Sequence, residues 1–83
     1  MGKNLYVGNL PFSTEEDDLK GLFAEIGTVD SVKIVRERFS GKSRGFGFVE
    51  MATDELAEEA IKKLNGYSFD GRSLRVDKAK DKK

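Results

Sequence analysis

Tyr6, Phe46 and Phe48 are the residues whose types and spacing most directly suggest chemistry, and that chemistry is stacking rather than bond making. Phe46 and Phe48 are two positions apart, the spacing that puts side chains on one face of a β-strand. Around the rings stand the cations Lys3, Lys33, Arg44 and Arg75, with Lys78 and Lys80 near the end of the chain. Flat rings framed by cations suit nucleobases and phosphates together. Catalytic groups are scarce. The chain has no His and no Cys, which removes the commonest general base and the strongest nucleophile. Gly41-Lys42-Ser43 resembles the end of a phosphate-binding loop, but Arg36 stands where that motif needs its first glycine. Gly45 and Gly47 cannot complete G-x-G-x-x-G, because Glu50 takes the last position. Neither an enzyme, a cofactor nor a metal site is expected.

The elements that must position these rings follow from periodicity. Leu5 to Asn9 opens with alternating aliphatic positions, a strand signal, and meets the breaker Asn9-Leu10-Pro11. Ser13 or Thr14 then offers an N-cap, and the acids Glu15 to Asp18 suit the positive end of a helix. Leu19, Leu22, Phe23 and Ile26 make one apolar helix face, and Gly27 is placed to end the helix in the left-handed conformation. A second strand runs from Val29 to about Arg38, a turn at Ser40-Gly41-Lys42 follows, and a third strand spans Arg44 to Met51. Thr53 caps a second helix with the buried stripe Leu56, Ala57, Ala60, Ile61 and Leu64, which Asn65-Gly66 stops. Tyr67 to Arg72 reads as a short hairpin turning at Asp70-Gly71, and Leu74-Arg75-Val76 is the last strand. The order is β-α-β-β-α-β, the split βαβ arrangement of an α+β, ferredoxin-like fold.

Side-chain parity then decides which way the rings face. In the third strand one side holds Arg44, Phe46, Phe48 and Glu50, and the other holds Gly45, Gly47, Val49 and Met51. Burying the first set would place two ions under the helices, each needing a buried partner. Burying the second strands no charge, and its glycines would let a helix approach closely. By the same logic Leu5 and Val7 turn inward while Tyr6 faces outward with Asn4 and Gly8. Three rings are therefore expected in solvent on neighbouring strands.

Length and charge set the frame. With 83 residues there is room for one small domain. No apolar run approaches the roughly 18 residues of a membrane span, so no membrane partner and a cytoplasmic location are expected. Net charge is zero, yet nine of the fifteen acidic residues fall in the two helices and only three of the fifteen basic ones do. Helices packed behind a sheet would leave its other side basic. Arg38 and Lys42 add to that side from the loop between the second and third strands.

Arg44-Gly45-Phe46-Gly47-Phe48-Val49-Glu50-Met51 resembles the longer ribonucleoprotein signature of the RNA-recognition motif family, and Leu5-Tyr6-Val7-Gly8-Asn9-Leu10 resembles the shorter one. The resemblance spans nearly the whole chain, with a domain over 3–79 and a Lys-rich tail over 80–83. It implies a four-stranded antiparallel sheet in the order 4-1-3-2 with both helices on one face. It further implies single-stranded RNA as the partner. Tyr6 and Phe48 would each stack a base, Phe46 would insert against sugars or a base, and Arg44 would pair with phosphate. Lys33, Val35, Arg75, Asp77 and Lys78 would line the sheet edges. As a short single-domain chain it is similar to small bacterial RNA-binding proteins, and a monomer is expected. Two residues stand out. Met51 departs from the Phe or Tyr of the signature, but at an inward position. Phe39 lies in a loop and reads as packed partly against the sheet edge rather than as a fourth stacking ring. The rival functions are single-stranded DNA binding, since stacking needs no 2′-hydroxyl, and a protein-interaction module of the same fold.

Overall fold

The computed structural model describes residues 3–79. Their order is β1 (Asn4–Gly8), α1 (Glu16–Ala24), β2 (Val29–Arg36), β3 (Ser43–Met51), α2 (Asp54–Leu64), the hairpin β4 (Ser68–Phe69) and β5 (Arg72–Ser73), and β6 (Arg75–Lys78). Four strands form one antiparallel sheet in the order β2-β3-β1-β6. This is the expected 4-1-3-2 arrangement read from the other edge. On one side of it Leu5, Val7, Ile34, Val49, Met51 and Val76 are buried, and Leu19 and Phe23 of α1 with Ala57, Ala60 and Leu64 of α2 close over them. Met51 is fully enclosed in that core, as its inward parity required.

The element ends follow local chemistry, not always the chemistry the sequence suggested. α2 begins as expected, with the Thr53 hydroxyl accepting the Leu56 N–H at 3.1 Å. α1 does not begin at Ser13 or Thr14. Its cap is Glu15, whose N–H donates to the Asp18 carboxylate at 2.9 Å. Thr14 is buried, and its N–H donates to the Pro11 carbonyl at 3.1 Å, so the turn at Pro11 draws it inward and delays the helix. At the other end of α1 the cap residue Glu25 stays right-handed, and Gly27 is not left-handed. The missing Cβ of Gly27 serves packing instead, because the Leu56 side chain of α2 fills that space. Gly66 does end α2 with a φ of 87°, and the Asn65 side chain accepts the Val76 N–H at 3.1 Å, joining the helix end to β6. Asp70 and Gly71 both have positive φ, the geometry of a type I′ hairpin turn. β2 stops at Arg36, which leaves Arg38 in the loop, and the last strand runs from Arg75 to Lys78 while Leu74 is buried ahead of it.

Gly47 admits a close neighbour, but the neighbour is a strand and not a helix. A Cβ there would collide with the Lys33 carbonyl oxygen and lie 3.0 Å from the Ile34 Cα of β2. The edge strand β2 is in turn held by α1. The Glu16 carboxylate accepts the Ile34 N–H at 3.2 Å and the Arg36 guanidinium at 3.0 Å. Those bonds, the one from the Ile34 backbone foremost, hold the Glu16 carboxyl below its ordinary 4.5 against a smaller opposing effect of burial.

Two outcomes are expected. Gly47→Ala should destabilise the domain by about 1–3 kcal/mol, the usual range for overpacking, as measured by urea denaturation. A wild-type midpoint would show that β2 moves aside at no cost. For Glu16, a lowered folded pKa means its share of stability is complete above the ordinary carboxylate value and is lost as pH falls through the lower folded value. Glu16→Gln should therefore flatten the acid limb of the stability curve below about pH 4.5, and an unchanged limb would assign that limb to other carboxylates.

Candidate functional site

The face of the sheet away from the helices carries the rings. Tyr6 of β1 is directly opposite Phe48 of β3, Lys33 of β2 is opposite Phe48, and Asp77 of β6 is opposite Tyr6. One row thus crosses the sheet as Lys33, Phe48, Tyr6, Asp77. The next row along contains Phe46, with Gly8 paired to Arg75, and Val35 shares the face by parity with Lys33. The row on the other side holds Asn4 opposite Glu50, whose carboxylate accepts the Ser31 hydroxyl at 3.3 Å. This end of the face is acidic, while the Phe46 end carries Arg75 and Arg44, both exposed.

The three rings form one cluster. Their centroids are 5.7 Å apart for Tyr6 and Phe46, 6.1 Å for Tyr6 and Phe48, and 6.1 Å for Phe46 and Phe48. The last two pairs meet edge to face, the arrangement that ring quadrupoles favour. Mutual contact leaves Tyr6 and Phe46 half-buried, and Phe48 is 39% exposed. Tyr6 reaches Phe46 because position 8 has no side chain. A Cβ on Gly8 would lie 2.5 Å from the Tyr6 hydroxyl oxygen and 2.8 Å from ring carbon Cε2. The Tyr6 ring therefore lies across Gly8, two residues further along the same face of β1.

Not every expected residue joins this cluster. Lys3 accepts the Met51 N–H through its carbonyl and lines a hollow with Asp54, Glu55 and Glu58, so it belongs to the helix side. Lys78 is opposite the buried Leu5, and its ammonium reaches the Glu58 carboxylate of α2 at 3.4 Å. Both sit behind the sheet because their registers share the parity of core residues. Lys80 lies outside the described residues. Arg38 and Lys42 are exposed in the β2–β3 loop, where Lys42 N–H donates to the Ser40 hydroxyl at 3.2 Å. Phe39, expected to pack against the sheet edge, is instead 95% exposed. Sequence reasoning passed over two residues. The role of Gly8 was legible as a glycine on the same face two positions from a ring. Phe12, 71% exposed, carried only the weak signal of an aromatic after proline in a loop.

Among the described residues no cluster of His, Cys, Asp or Glu could hold a metal ion, and no helix is long and apolar enough to cross a membrane. The hollows lined by described residues open broadly to solvent.

Comparison with known proteins adds four findings to this geometry. The family model described as RNA recognition motif matches residues 5–75. A 31 kDa chloroplastic ribonucleoprotein of Nicotiana plumbaginifolia is 51% identical over 73 residues, which are 88% of this chain and 25% of that protein. The chain thus spans only a quarter of the length of that relative. Among solved structures, the crystal structure of RNA-binding protein PG1 superposes with a TM-score of 0.93 at 43% identity, covering 98% of both chains. An SXL-lethal protein/RNA complex superposes with a TM-score of 0.94 at 31% identity, covering all of this chain and 50% of that one. The plant relative is eukaryotic and chloroplastic, so it lends no support to a bacterial source or a cytoplasmic location.

Gly8→Ala should push the Tyr6 ring off its seat and away from Phe46. The expected reading is a change in the ring-proton shifts of both aromatics by NMR, with the backbone pairing of position 8 to Arg75 retained. Unchanged ring shifts would mean that something other than the missing Cβ places Tyr6.

Proposed function

This chain belongs to the RNA recognition motif family, and we propose that it binds single-stranded RNA on the open face of its sheet. The observation that carries this reading is the direct opposition of Tyr6 and Phe48 on the two central strands, with Phe46 beside them, all on the face away from the helices and none of the three in the buried core. A folded domain does not ordinarily leave a cluster of large rings in water unless something covers it. Unpaired bases have the shape and polarizability to do so, and their phosphates would meet the cations at the Phe46 end.

In this reading Tyr6 and Phe48 each stack one base, and Phe46 inserts against a sugar or a further base. Arg44 takes a phosphate. Lys33, Val35, Asn4, Arg75 and Asp77 surround the bases and supply polar groups to their edges. Arg38 and Lys42 clamp the strand without reading sequence, while Arg36 is already engaged by Glu16 and Glu15 at 3.0 and 3.8 Å. Lys78 is held behind the sheet by Glu58 and reaches RNA only by giving up that contact. The domain acts as a monomer in RNA metabolism or post-transcriptional regulation, its rings assigned to bases and not to a second copy. Because the chain covers a quarter of its plant relative, any wider role of such proteins in RNA processing is carried over as part of this proposal.

The test combines stacking and charge. A Tyr6→Ala/Phe48→Ala double variant should lose at least about tenfold in affinity for an unstructured RNA oligonucleotide, since each stacked base contributes on the order of 1–3 kcal/mol. Circular dichroism should show the fold intact, because neither ring belongs to the core. Wild-type affinity in the folded double variant would refute stacking. With about three phosphates engaged, log affinity should fall with log salt at a slope of roughly −2. A matching DNA oligonucleotide serves as the control for RNA preference.

A further inference from the structure

The β2–β3 connection closes on itself. The Glu37 N–H donates to the Lys42 carbonyl at 2.7 Å and the Gly41 N–H to the Glu37 carbonyl at 3.0 Å, so Arg38, Phe39, Ser40 and Gly41 form its tip. Gly41, with a φ of 75°, supplies the left-handed residue of that tip. Every residue from Arg36 to Lys42 is exposed, Phe39 almost completely. Ser40 thus presents a hydroxyl on an exposed tip, the kind of segment where chemical modification disturbs a fold least. The Lys42 N–H donates to that hydroxyl at 3.2 Å.

Charge separates Ser40 from the other hydroxyls of the chain. Arg38 and Lys42 stand two residues to either side of it and Arg36 and Arg44 four, with Glu37 the one acid in that span. Ser13 precedes the acids Glu15 to Asp18, and Thr28 and Ser31 flank Asp30. The Thr53 hydroxyl caps α2, Thr14 and Ser43 are buried, and Ser68 and Ser73 are paired with each other in the β4–β5 hairpin. A dianion attached at those positions would meet like charge, break a bond or need burial. At Ser40 it would meet cations. Arg36 is already held by Glu15 and Glu16, but Arg38 and Lys42 take part in no ion pair among the described residues.

We propose that Ser40 is a phosphorylation site, and that its phosphate is held by Arg38 and Lys42 of the same loop, which removes both from RNA. The reaction is phosphoryl transfer from a nucleoside triphosphate on a serine kinase that prefers basic sequences. The Ser40 Oγ attacks the γ-phosphorus, the bond to the β-phosphate oxygen breaks, and the nucleoside diphosphate leaves. The hydroxyl proton passes to a carboxylate base of the kinase. The product carries about −1.5 to −2 charges at neutral pH and three acceptor oxygens, beside the Lys42 N–H that already points at Oγ. Exposed Phe39 gives that enzyme an apolar side chain next to the acceptor. The inference rests on the RNA reading given above, and it makes the loop clamp the regulated part of that site while the rings stay as they are.

Modification, capture and release of RNA are read separately. Incubation with an arginine-directed serine kinase and ATP, followed by fragment mass spectrometry, should place phosphate on Ser40, and Ser40→Ala should abolish it. Phosphate on other residues alone, or none, overturns the site. Phosphorus NMR titration of the phosphorylated protein without RNA should give a phosphate pKa below its usual value of about 6, because neighbouring cations favour the dianion. The Arg38→Ala/Lys42→Ala variant should return it to that value, and the same pKa in both proteins means that the loop does not hold the phosphate. Phosphorylation should weaken binding of an unstructured RNA octanucleotide by at least about fivefold at low salt. It should also reduce the salt slope from roughly −2 to roughly −0.7, the loss of two of about three phosphate contacts. Unchanged affinity and slope overturn the link to RNA. The Tyr6→Ala/Phe48→Ala variant distinguishes the two levels. If it binds like wild type the RNA reading itself falls, while the phosphorus titration still decides whether the loop holds its phosphate. If it loses binding and phosphorylation changes nothing, only the present inference falls.

Discussion

Leu5 pairs with Val49 and Tyr6 pairs with Phe48 across the same two strands, and both surfaces of the domain depend on that register. The first pair belongs to the core and the second to solvent, one residue apart. A slip by a single position would exchange them, putting the rings under the helices together with Glu50 and the core aliphatics in water. The cost of burying such an ion without a partner is far larger than the gain from hiding a ring. The register is therefore fixed by what must not be buried as much as by what is. Exposed aromatics here are the consequence of a core satisfied by the opposite parity.

Absent side chains shape the rest. Gly47 lets β2 draw against β3, Gly27 receives Leu56 from α2, and Gly8 gives the Tyr6 ring a place to lie. These three positions connect sheet spacing, helix docking and ring placement, so the geometry of the open face is built from the backbone outward. A ring held across a glycine and against two others is restricted before any ligand arrives. Restricting it beforehand lowers the ordering cost of binding.

Charge is distributed by pairing more than by number. Arg36 is taken up by Glu16 and Glu15, Lys78 by Glu58, and Lys63 by Glu59, all through acids at or within the two helices. Surface pairs of this kind contribute only about 0–1 kcal/mol each to stability. Their larger effect is to withdraw cations from the general field, which leaves Arg38, Lys42, Arg44 and Arg75 as the basic residues of one end. A chain with no net charge can in this way keep a locally attractive surface for phosphate. Glu50 on the far row opposes it and gives the face a direction.

The element order, the inward side of the strand and helix residues that build the core, and the outward turn of Tyr6, Phe46 and Phe48 were all legible in the residues alone. Helix and strand periods are local properties, and the exclusion of charge from the core is enough to orient them. The Asp70-Gly71 turn and the Thr53 cap were legible for the same reason. Packing settled what depends on distant neighbours. Lys3 and Lys78 fell behind the sheet through cross-strand register, and Glu15 replaced Ser13 or Thr14 as cap because Thr14 was drawn into the interior. Gly47 met a strand instead of a helix, Phe39 found nothing to pack against, and Phe12 came to stand beside β3 through a loop contact with Gly45. Periodicity says which side a residue takes within its own element, but only the packed chain says what stands there to meet it.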